Sequence, residues 1–204
     1  MADEILTAEA EAAEPEPAET LDPEVRARRE AALRFVRQFG DPVLKSRALP
    51  VERFDDALVR EIVRMGQVMN DALGIGLAAT QVGVMHRVLV YRVEPDAPVA
   101  AVVNPEIEWE SEESETMEEG CLSLIGVGVD VDRAVHIRVR ARDERGEEIL
   151  IEASGLEARV LQHEIDHLDG VLILDRTPRD QRKQALRDLR ERERERAAAD
   201  EAAA

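Results

Sequence analysis

The sequence predicts an α+β fold, with mixed and antiparallel β-sheets packed around one central helix. Three observations carry this. Short alternating or apolar runs recur between residues 86 and 153, bounded by turn residues. One later segment puts polar side chains among Val160, Leu161, Ile165 and Leu168, the pattern of a half-buried helix. No strand–helix–strand alternation joins the two regions, so a doubly wound parallel sheet is not expected.

Taken in order, residues 24–38 read as a helix that Gly40-Asp41-Pro42 breaks, and residues 43–51 as an extended stretch. Leu58, Ile62, Met65 and Met69 form a helical stripe over residues 55–73. Residues 86–93 read as a strand. A second strand spans 99–103 and is stopped by Asn104-Pro105, and residues 106–110 begin another. Strict alternation marks 135–140 as a strand with His136 on its exposed face, and 148–153 returns after the turn at 143–146. After the central helix, 171–174 read as a short strand and 178–196 as a charged terminal helix.

At 204 residues the chain holds one domain with a sizeable core, built from aliphatic side chains because aromatics make up only 2%. A single cysteine excludes an internal disulfide and suits a reducing compartment. No apolar run approaches the roughly 20 residues of a membrane span. A net charge of −18 argues against a phosphate-tracking surface and hence against DNA binding. Residues 1–24 carry nine acids and no bases, which reads as a disordered acidic tail and neither a signal nor a transit peptide. The remaining organisation is a unit over 25–177 and a charged helix and tail over 178–204.

The central helix contains His163-Glu164-Ile165-Asp166-His167. Imidazoles four residues apart share a helix face and can reach one metal ion, with Glu164 beside them as a base that is not itself a ligand. Gly170 ends this helix as a C′ residue. A catalytic site needs a third protein ligand. No His or Cys follows Gly170, so Cys121 in Glu119-Gly120-Cys121-Leu122-Ser123 is the candidate, although a single cysteine also reads as a small buried hydrophobe. Gly74-Ile75-Gly76-Leu77-Ala78-Ala79 formally fits a dinucleotide fingerprint, but a helical pattern precedes it where that fingerprint needs a strand. It reads better as a loop of close backbone approach, from which Gln81 projects an amide toward an oxyanion, or as a plain tight turn.

Residues 74–81, 119–123 and 162–170, in that order, resemble the three motifs of the peptide deformylase family, and the likeness covers roughly residues 40–180. The resemblance implies a cytoplasmic bacterial enzyme, a monomer, that removes the N-formyl group from the formylmethionine of nascent polypeptides and releases formate. It implies one divalent metal ion, usually Fe²⁺, with Zn²⁺ or Ni²⁺ found in isolated protein. By matching positions, Cys121, His163 and His167 would hold the ion. Glu164 would be the general base and then the acid, and Gln81 and the Leu122 amide would form the oxyanion hole. Gly76 would bind substrate backbone, with Ile75, Leu156, Arg159 and Val160 around the methionine pocket. The terminal helix would dock on the ribosome. The chain departs from the family at Leu124-Ile125-Gly126-Val127-Gly128 and at Arg159, whose stem is expected to line the pocket while its charge reaches solvent. An ordinary HExxH peptidase and a non-catalytic metal-stabilised binding module are the alternative readings.

Overall fold

The computed structural model describes residues 21–202; residues 1–20, most of the expected acidic tail, lie outside them. Helix α1 spans Pro23–Leu33, with Asp22 accepting from the Glu24 amide. It ends five residues before the expected 38, and residues 34–39 instead turn toward the site. Residues 42–45 form a 3-10 turn where extended chain was expected, because Asp41 caps the Val43 amide and Pro42 presets the first position. Helix α2, Asp56–Asp71, is capped by the Asp55 carboxylate, which accepts from the Ala57 and Leu58 amides.

Five antiparallel strands form the main sheet in the order β1-β2-β3-β6-β7: β1 Gly76–Ala78, β2 Val88–Tyr91, β3 Ala100–Glu110, β6 His136–Arg142 and β7 Glu148–Ser154. A separate hairpin pairs β4, Ser114–Gly120, with β5, Gly128–Ala134. Helix α3, Gly155–Leu168, packs on β1, β2, β6 and β7 of the main sheet and also against β5. Two short elements complete the chain: α4, Ile173–Arg176, and the long terminal α5, Arg179–Ala202.

The continuous apolar run of β2 follows from burial on both faces. Leu89 and Tyr91 face the cluster around α3, whereas Val88 and Val90 face the cluster around α2. A third cluster joins Val129 and Val131 of β5 to Leu172, Ile173 and Leu174, with Ala185 of α5.

Three more expectations fail, and part of the small sheet was not expected at all. Asn104-Pro105 does not stop the strand. Asn104 adopts φ 53° and its amide exchanges two hydrogen bonds with the Val51 backbone, so β3 continues through a register shift to Glu110. Residues 171–174 are not a strand: Asp175 accepts from the Leu172 amide and starts a helical turn. Strand β5 had no counterpart in the sequence reading, although Val129 and Val131 alternate with Asp130 and Asp132. Arg159 is 7% exposed, so its charge does not reach solvent.

Gly170 has φ 73°, and a Cβ there would stand 2.8 Å from the Lys45 carbonyl carbon. The end of α3 is thereby pressed onto the 3-10 turn, as only glycine allows.

Candidate metal centre

Three chain segments converge on one point. Helix α3 presents His163 and His167 on one face, their ring centroids 4.9 Å apart and nearly perpendicular. Cys121 follows directly on β4, and its Sγ lies 3.2 Å from His167 Nε2. The Ser123 amide donates to the same sulfur at 3.4 Å. One ligand atom from each of Cys121, His163 and His167 falls within 4.8 Å of the others. Donors around a tetrahedral ion bound at about 2.3 Å to sulfur and about 2.0–2.1 Å to nitrogen stand roughly 3.3–3.6 Å apart, so small shifts bring this set onto one cation.

The electrostatics fit a cation as well. Burial opposes charge on His163, yet hydrogen bonds to Cys121 and Glu119 and the charge of Glu164 hold its pKa well above the ordinary value. Negative groups thus surround that imidazole, and a metal ligated there displaces its proton. His167 is pushed the other way, by burial and then by the charges of His163 and Arg133. It is held neutral, as a ligand must be, and its Nδ1 has no hydrogen-bond partner among the described residues.

Glu119 was not singled out from sequence, and it organises the site. Its carboxylate accepts from His163 Nδ1 at 2.9 Å, leaving Nε2 of that ring for a metal. Arg133 holds both of its oxygens, at 2.9 and 3.0 Å. Burial alone would raise the Glu119 pKa; the His163 and Arg133 hydrogen bonds outweigh it and keep the carboxylate ionised. Arg133 also donates to Asp166 at 2.6 Å, which Arg176 meets from the other side at 2.5 Å. Asp166 is therefore part of a buried ion network. Asp169, by contrast, pairs with Arg87 away from the rings. The available signal was Arg133 itself, the first base after a long acidic and apolar stretch.

Glu164 is 4% exposed and its Oε2 has no partner among the described residues. Burial is the main cause raising its pKa to about 7, with Glu119 adding repulsion. Gly76 lies directly against this carboxylate: a Cβ there would stand 2.9 Å from Glu164 Cδ. Gln81 accepts from the Ala78 amide at 2.8 Å, which turns its NH₂ toward Ser123 Oγ at 3.3 Å and Cys121 Sγ at 3.7 Å. The Leu122 amide makes no hydrogen bond among the described residues. Residues 37–39 brace both loops. The Arg37 amide donates to Gln81 O, Gln38 Nε2 to Leu122 O, and the Phe39 amide to Ser123 O.

Cys121, His163, Glu164, His167, Gln81, Leu122 and Gly76 thus come together as expected. Ile75 and Leu156 stand at the surface, 45% and 41% exposed. Val160 is packed into the main core.

The sequence profile of the polypeptide deformylase family matches residues 33–183. The peptide deformylase of Thermotoga neapolitana is 52% identical over 141 residues, which cover 69% of this chain and 85% of that protein. The peptide deformylase of Acidothermus cellulolyticus is 48% identical over 162 residues, covering 79% and 88%. The crystal structure of a peptide deformylase from Synechococcus elongatus, in complex with actinonin, superposes with a TM-score of 0.72 at 41% identity, over 75% of this chain and 85% of that one.

Proposed function

The chain belongs to the polypeptide deformylase family, hydrolases that remove the N-formyl group from nascent polypeptides, and on that premise we propose how its own residues perform the reaction. Cys121, His163 and His167 hold one divalent ion. Bound there, such an ion supplies Lewis acidity, which makes water more acidic and polarises the formyl carbonyl. An anionic sulfur ligand lowers that Lewis acidity relative to three imidazoles and fits a preference for Fe²⁺, while leaving the ferrous protein open to oxidation at Cys121.

Glu164 takes the proton from the attacking water and returns it to the methionine nitrogen as the C–N bond breaks. Formate and a free amine result. The Leu122 amide and the Gln81 NH₂ donate to the formyl oxygen as it gains charge. The Leu122 donor is free to do so, and the long Gln81 contact to sulfur is the one to exchange. Gly76 leaves room for the substrate backbone beside Glu164, and Ile75, Leu156 and Val160 bound the methionine side of the cleft.

The observation that carries this reading is a buried carboxylate with an unpartnered oxygen, next to three converging soft and imidazole donors. A peptidase of the ordinary HExxH type takes its third ligand downstream, where this chain has no His or Cys and offers Glu only within a strongly charged terminal run. A binding module without activity has no use for Glu164 or Gln81. The deciding test is formate release from formyl-Met-Ala against the acetylated peptide, with anaerobic iron, nickel and zinc forms compared. Cleavage of the acetyl peptide's Met–Ala bond, or no formate with any metal, overturns the mechanism.

Among the described residues no helix is long and apolar enough to cross a membrane. Residues 25–177 form the proposed catalytic unit of a cytoplasmic monomer, and the exposed charged face of α5 is a proposed contact with the ribosome.

A further inference from the structure

We propose that Arg159 is a positioning residue for the metal ligands and not part of the methionine pocket; this rests on the metal-centre reading above. Arg159 and His163 stand one turn apart on the same face of α3. They reach the same carboxylate: Arg159 Nη1 donates to Glu119 Oε1 at 2.8 Å and His163 Nδ1 meets Oε2 at 2.9 Å. The same guanidinium spans both strands of the small sheet, through Nη1 to Val131 O at 3.0 Å and Nη2 to Glu115 O at 2.6 Å. Its side chain is only 8% exposed, and that of Glu119 only 5%.

The consequence is geometric. His163 and His167 belong to α3, but Cys121 emerges from the end of β4. Apolar packing of β5 is mostly directed to α4 and α5, in a cluster separate from that of α3. Polar contacts therefore help set how the hairpin sits on α3: Gln162 exchanges two hydrogen bonds with the Ala134 backbone and Arg133 reaches Asp166, while among the described residues Arg159 alone binds both strand backbones and the carboxylate that orients His163. A planar fork presents separate nitrogens to the three acceptors, whereas an ammonium offers its three donors from a single atom and does not span them in the same way. Losing the fork removes the tie to Glu115 and one of the groups holding Glu119, so Glu119 shifts on its remaining Arg133 contacts and the hairpin end that carries the sulfur moves relative to the rings.

The test uses the full chain loaded anaerobically with Co²⁺, comparing wild type, Arg159→Lys and Arg159→Met. Arg159→Met should bind Co²⁺ about 10–100-fold more weakly, the range found when a group supporting a ligand is lost. It should also displace the thiolate-to-cobalt absorption band and lower kcat, with KM for formyl-Met-Ala and the preference for Met over norleucine unchanged. Arg159→Lys should fall between the two, and it decides the matter if the Met variant does not fold. Wild-type cobalt affinity and band in the variants overturn the proposal, as does a raised KM with altered side-chain preference at unchanged metal binding. Absence of the thiolate band in wild type removes the metal centre itself, and so separates that failure from this one.

Discussion

Glu119 and His163 meet at 2.9 Å in a pocket where both side chains are nearly buried, at 5% and 12% exposure. The carboxylate also neutralises two guanidinium groups, Arg133 and Arg159. Removing it leaves Arg159 without a carboxylate and Arg133 with Asp166 alone, so Glu119→Ala should lose about 3–5 kcal/mol in urea unfolding. Glu119→Gln keeps a shape that can still accept from His163 and should lose less stability, yet weaken metal binding about 10–100-fold in a chelator competition. Equal effects of the two substitutions on both quantities would contradict the assigned role.

Gly76→Ala places a methyl group against the Glu164 carboxylate. Displacing a catalytic group by an ångström can cost on the order of 10²-fold, so kcat/KM for formyl-Met-Ala should drop by about that factor. Stability should fall as well, because Glu164 is buried and the new methyl would also meet its Cγ at 2.9 Å. A fully active alanine variant would show that Glu164 need not occupy this position.

Glu164 gives a pH signature. Its folded pKa of about 7 lies above the ordinary carboxyl value of 4.5, so the folded state binds the extra proton. Stability tied to this group is complete below about 4.5 and is lost as pH rises through about 7. Glu164→Gln cannot ionise. In chelator-treated protein its stability relative to wild type should therefore grow between pH 5 and pH 8, by on the order of 1–3 kcal/mol. A pH-independent difference would refute the burial argument. The same variant should bind metal and release no formate.

Gln81→Ala removes one donor facing the reacting oxygen. The expected loss is about 10²–10³ in kcat, with KM nearly unchanged. A variant whose KM rises while kcat holds would recast Gln81 as a ground-state contact.

The terminal helix must be tested without shortening it, because Ala185, Leu186 and Leu189 belong to the third core cluster. Reversing the exposed Arg187, Arg190 and Arg194 together leaves that packing intact. Co-sedimentation with ribosomes should then fall, and unchanged co-sedimentation would withdraw the contact.

What the sequence disclosed follows from how local each signal is. His163 and His167 are four apart on one helix, and Gly76 sits in a glycine-rich segment, so spacing alone exposes them. Glu119 is paired across the fold with Arg133, Arg159 and His163, and a strand pattern does not say which face meets which helix. Arg159 was misjudged for the same reason: its stem position is local, but its acceptors at Glu115 and Val131 come from a distant hairpin. The run 171–174 is too short for periodicity to separate strand from helical turn, and the Asp175 cap decides it. Asn104-Pro105 carries the composition of a strand end, but the Asn104 amide replaces the lost ladder bonds.

The separation of ligands between α3 and the end of β4 has a consequence for handling the protein. An ion gripped from both layers acts as a removable rivet, so occupancy and fold integrity rise and fall together. Stripping the ion should speed amide hydrogen exchange across residues 114–134 well before it affects the sheet behind α2. A preparation stripped of its ion would then be mechanically looser as well as idle.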